Sequence, residues 1–106
     1  MFVGVDVHKH SLFVCYYRSP KEYRFKSYPF TRRGLDGFLK SLTRRDEVAI
    51  ESVTQAYYLV DQLSPRVKRV VVVNTFAFDL IKKSRAKTDQ KDAFHLAQQL
   101  SYGHLP

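Results

Sequence analysis

Four carboxylates stand where carboxylates are either costly or useful. Asp6 lies inside an apolar run, Phe2-Val3-Gly4-Val5-Asp6-Val7, and a charge in such a strand is expensive unless it is paired or bound to a cation. Glu51 follows Val48-Ala49-Ile50, at the C-terminal end of a short strand, where open α/β sheets hold their ligands. Asp89 and Asp92 are three residues apart, close to one helical turn, so they project from one side of the helix they open. Four converging carboxylates repel one another unless divalent cations neutralise them, and oxygen-only ligands suit Mg²⁺ or Mn²⁺ rather than zinc or copper. Two such ions, roughly 3.5–4 Å apart, can activate a nucleophile and stabilise the leaving oxygen in phosphodiester cleavage. Plainer uses stand beside this one. Asp89 suits a helix cap, Asp92 answers the helix dipole, and Glu51 suits an exposed strand end.

The elements that must position these residues are readable from periodicity. Residues 2–7 form an apolar strand, residues 11–17 a second one rich in β-formers, and Tyr23 and Phe25 alternate with Arg24 and Lys26 in a third with one wet face. Turns this short imply an antiparallel meander. Leu35, Phe38, Leu39 and Leu42 then fall on one helical stripe, with Thr31 as N-cap; Gly34 and Gly37 weaken this helix. Glu47 to Glu51 is a short strand. Ala56, Leu59, Val60 and Leu63 mark a helix ended by Pro65, and Val70-Val71-Val72-Val73 has the pattern of a parallel strand buried on both faces. A short helix is expected from Phe76 to Lys83 and a longer one from about Asp89 to Ser101. Three antiparallel strands followed by alternating helices and parallel strands predict a mixed α/β sheet with helices on both faces. That order fits the ribonuclease-H-like fold; the actin and sugar-kinase fold shares its opening.

The chain is 106 residues long and 44% hydrophobic, enough for one small domain with a core. Its net charge is +8, which favours a polyanionic partner. Lys9, Arg32, Arg33, Lys82, Lys83, Arg85, Lys87 and Lys91 are the candidate backbone-contacting cations. No apolar run approaches the ~20 residues that span a bilayer, and residues 1–18 do not read as a signal peptide because Asp6, His8 and Lys9 interrupt them. Cys15 is the only cysteine, which excludes an internal disulfide and fits a reducing cytoplasm.

Val3-Gly4-Val5-Asp6-Val7-His8-Lys9, Ile50-Glu51-Ser52 and Lys87-Thr88-Asp89-Gln90-Lys91-Asp92-Ala93 together resemble the N-terminal domain of the DEDD transposases of the IS110 family, relatives of the Piv-type DNA invertases. The resemblance runs in order from Phe2 to about Leu100. It implies a RuvC-like ribonuclease-H fold in which Asp6, Glu51, Asp89 and Asp92 form a metal-binding tetrad. It further implies Mg²⁺-dependent cleavage and exchange of DNA strands, guidance by a structured noncoding RNA, and action as a homo-oligomer. Residues 1–106 then correspond to a single RuvC-like domain, and the serine-containing C-terminal domain of the family is absent from this chain. Val53-Thr54-Gln55 lacks a glycine common after the family's glutamate, and Asn74-Thr75 replaces a common Asn-Pro.

Other reactive residues have simpler uses. His8 and His10 flank Lys9 in a turn, and two histidines make a poor metal site. His95 suits a plain helix surface, Cys15 a small buried hydrophobe, and Tyr16, Tyr17, Tyr57 and Tyr58 pack or stack on bases. A metal-dependent DNA-processing domain and a nucleic-acid-binding module inactive in isolation are the two readings in view. An ATP-binding domain is disfavoured because Val7-His8-Lys9-His10 offers no glycine for close approach to phosphate.

Overall fold

The computed structural model describes residues 1–51, 56–73, 89–103 and 105. Strands β1 (Phe2–Val7), β2 (Ser11–Ser19) and β3 (Glu22–Pro29) form the meander. They are followed by helix α1 (Arg32–Lys40), β4 (Glu47–Glu51), α2 (Ala56–Leu63), β5 (Arg69–Val73) and α3 (Asp89–Ser101). The sheet order is β3-β2-β1-β4-β5, with β4 parallel to both β1 and β5. This mixed sheet is the α/β architecture expected of a ribonuclease-H-like domain. The helix expected at residues 76–83 lies outside the described residues.

Alternation along the strands sorts the core into two layers. Val3, Val5, Leu12, Val14, Tyr16, Val48 and Ile50 face α1 and α2, which supply Leu35, Phe38, Leu39, Leu59 and Leu63. The opposite face, with Ala49, Val71, Val73, Cys15 and Tyr17, is covered by Ala93, Leu96, Ala97 and Leu100 of α3. Helices therefore lie on both faces, as expected.

Two glycines decide how closely the helices approach. A Cβ at Gly4 would overlap the Ala93 carbonyl oxygen and stand 2.7 Å from the Ala97 nitrogen, so α3 rests directly on β1. A Cβ at Gly34 would overlap the Pro29 carbonyl. The glycine that lowers helix propensity in α1 thus lets the helix close on the end of β3. Thr31 caps α1 as expected, its hydroxyl accepting from Gly34 N at 3.1 Å.

One burial expectation is corrected. The valine run is a parallel strand, but Val72 is 42% exposed. Among the described residues β5 is the edge of the sheet, with no strand on its outer side.

Candidate metal centre

Strand register brings the first two carboxylates together. Asp6 and Glu51 are Cα partners across the parallel pair β1–β4. Both alternate with residues of the α1/α2 face, so both side chains turn toward α3. The close contact at Gly4 seats the first turns of α3 on β1, and Asp92 lies one residue before Ala93 in that contact. The outcome is a cluster in which one carboxylate oxygen from each of Asp6, Glu51 and Asp92 lies within 4.8 Å of the others. The three residues are only 5%, 8% and 7% exposed.

The donor set is all oxygen and formally carries three negative charges in a buried space, which is the chemistry of a hard divalent cation. Three such residues so close together, away from water, repel one another strongly, and a cation reverses the sign of that interaction. The residues present therefore fit a divalent ion, and among the described residues this is the group that could hold one.

His8 is the residue that sequence reasoning undervalued. Its Nε2 lies 3.1 Å from Asp6 Oδ2, at hydrogen-bond distance, with the ring 43% exposed. The signal was present: positions 6 and 8 alternate along an extended segment and so point to one side. An imidazole donating to a carboxylate fixes the orientation of that carboxylate.

The remaining candidates are distributed as follows. Asp89 opens α3, but its side chain and that of Lys91 lie outside the described set, as do Lys82, Lys83, Arg85 and Lys87 entirely. Lys9 is exposed in the turn after β1, beyond Asp6. Arg32 and Arg33 are exposed in the first turn of α1, where no acidic residue answers the helix dipole. His95 is half-buried, its ring 6.2 Å from that of Phe94. Other basic residues have structural partners: Glu47 is approached by Arg69 Nη1 at 3.5 Å and by Lys68 Nζ at 3.9 Å. Cys15 is buried, and burial pushes its thiol up to about 12, which makes it an inert core residue at neutral pH.

A mixed sheet covered on both faces, with buried carboxylates at the C-terminal ends of adjacent parallel strands, defines a ribonuclease-H-like α/β domain with a cation-compatible carboxylate cluster. Across residues 3–106 the chain matches the DEDD family of IS110 elements, described as a transposase. The chain belongs to that family: it is a DEDD transposase domain, part of a DNA-processing enzyme. No curated protein matches it. No helix among the described residues is long and apolar enough to cross a membrane.

Proposed function

We propose that this domain is the Mg²⁺- or Mn²⁺-dependent strand-cleaving part of a transposase. In this reading Asp6, Glu51 and Asp92 hold the metal, and Asp89 joins them from the first turn of α3. The observation that carries the reading is the buried carboxylate cluster built from three separate elements. A divalent ion bound there supplies Lewis acidity toward a phosphodiester. The protein's own residues do the rest. Gly4 seats α3 so that Asp92 meets the sheet, and His8 holds Asp6 in one rotamer. Lys9, Arg32 and Arg33 hold the DNA backbone, joined by Lys82, Lys83, Arg85, Lys87 and Lys91. Cations around an acidic centre separate the two tasks, since phosphate contacts position the strand while the carboxylates organise the chemistry.

The wider setting is part of the same proposal. Residues 1–106 act as one RuvC-like domain, and complete recombination draws on a serine-containing domain and on further copies of the chain. A structured noncoding RNA guides the DNA, and the action takes place in a prokaryotic cytoplasm. The net charge of +8 supports a nucleic-acid partner of either kind.

Calorimetric titration of Mg²⁺ and of Mn²⁺ into the wild type and Asp6→Ala tests the core of the reading. Binding by the wild type, together with a melting temperature that rises with metal, is expected, because a ligand of the folded state alone stabilises it. Both responses should disappear in Asp6→Ala. Equal, featureless traces from the two proteins would remove the metal site and leave a nucleic-acid-binding module.

A further inference from the structure

Behind the carboxylate end of the sheet, on the α1/α2 face, lies a small cavity of about 170 Å³ lined by Phe30, Thr31, Arg32, Leu35 and Tyr58. Phe30 is half-buried and Leu35 buried, while Tyr58 is 53% exposed. We propose that this cavity receives one unpaired nucleobase of the DNA strand being processed, with Arg32 on its phosphate.

Three observations support that occupant. The first is the lining. Phe30, Tyr58 and Leu35 offer aromatic and aliphatic surface beside the Arg32 side chain, the combination that holds single-stranded nucleic acid by stacking plus a phosphate contact. The second is the cost of the residues themselves. Arg32 stands in the first turn of α1, where the helix dipole disfavours a cation, and Tyr58 keeps a large aromatic surface in water. The third is position. Phe30 N donates to the His10 carbonyl at 2.8 Å, so this wall is tied to the turn that follows Asp6 and His8. Tyr58 belongs to the helix that follows Glu51 along the chain. One wall is thus bonded to the turn after β1, and the other follows β4 along the chain. A strand crossing the carboxylate end of the sheet would present its backbone to the carboxylates on one face and drop a base into the cavity on the other. A base already outside the duplex stack is needed for such a pose.

The inference rests on reading the domain as one that acts on DNA, and its test leaves divalent metal out so that the two readings fail separately. The probe is a short single-stranded DNA carrying 2-aminopurine, titrated with the metal-free 106-residue chain while fluorescence quenching and affinity are followed. Wild type should quench the probe. Tyr58→Ala should abolish most of the quenching and weaken binding about tenfold, the loss of one stacked base, whereas Tyr58→Phe should retain both. Tyr57, 85% exposed and outside the cavity, is the internal control, and Tyr57→Ala should stay within twofold of wild type. Arg32→Gln should lower the salt slope of binding by about 0.7, the loss of one phosphate on a single strand. Unchanged melting temperatures would show that the exposed-site variants remain folded. Wild-type binding by Tyr58→Ala, an equal loss in Tyr57→Ala, or quenching only with an RNA of the same sequence would each overturn the assignment.

Discussion

Two polar clusters lie on opposite faces of the same sheet, and they are built on opposite plans. On the α1 face, Tyr16 Oη lies 2.8 Å from Tyr28 Oη and 2.6 Å from Ser41 Oγ, and Ser41 Oγ donates to the Phe38 carbonyl at 2.5 Å. Each hydroxyl can donate to the next acceptor, so the chain of hydrogen bonds ends on a carbonyl and carries no net charge. Arg24 rests on the outer side, 4.2 Å above the Tyr16 ring. Burial pushes the Tyr16 phenol above its ordinary range, so it stays neutral. On the α3 face, Asp6, Glu51 and Asp92 bring acceptors of like charge together. The first cluster runs from the buried Tyr28 and Tyr16 hydroxyls out to the exposed Ser41. The second becomes electrostatically favourable when a cation joins it. Burial alone does not mark a functional site; buried groups of like charge gathered from separate elements are the better sign.

The largest effect expected from disturbing this contrast comes from the seat of α3. Gly4→Ala places a methyl group against the Ala93 carbonyl and the Ala97 nitrogen. A loss of about 1–3 kcal/mol is expected from overpacking, read as a lower urea midpoint. The rise in melting temperature with Mn²⁺ should shrink as well, since Asp92 moves with the helix. A variant that loses stability but keeps the full metal response would separate the seat of α3 from the cluster.

Next in size is the self-contained network. Tyr16→Phe removes the central hydroxyl and leaves the buried Tyr28 hydroxyl without that partner, at a cost of about 1–2 kcal/mol. The metal response should be that of the wild type, because the change lies on the other side of the sheet. An altered metal response here would show that the two clusters are coupled.

The smallest effect concerns Cys15, which packs with Ala93 and Ala97 beneath α3. Its thiol is raised from 9.0 to about 12 by burial. Between those values the unfolded chain gives up a proton that the folded chain keeps, so stability falls as pH climbs through that window; below it the group contributes no pH dependence. Urea midpoints at pH 8 and pH 10 should therefore fall more in the wild type than in Cys15→Ala. A parallel decline in both would assign the alkaline loss to other groups.

Much of the fold and part of the site were legible in the sequence, for physical reasons that differ by residue. The stripe of Leu35, Phe38 and Leu39 and the cap at Thr31 are local patterns, and they emerged as helix α1. Asp6 and Glu51 were conspicuous because a carboxylate beside Val5 or Ile50 conflicts with its surroundings. Their pairing needed only that β1 and β4 be neighbours. What escaped depends on contacts between distant elements. Gly4 has no role visible in the strand pattern, yet its missing side chain is what admits α3. Gly34 read as a fault in a helix because Pro29 was not yet known to press against it. The bond from His8 to Asp6 obeys simple alternation, but the turn assignment hid it. Val72 was expected inside because composition alone does not distinguish a central strand from an edge.

The most direct measurement is a crystal structure of the domain grown with millimolar Mn²⁺ and phased for its anomalous signal. The expected result is a manganese peak enclosed by oxygens of Asp6, Glu51 and Asp92, at hard-cation distances of roughly 2.0–2.3 Å, with Asp89 turned toward it. Manganese bound only elsewhere, or a carboxylate cluster that stays closed without it, would contradict the claim that these residues form a metal centre.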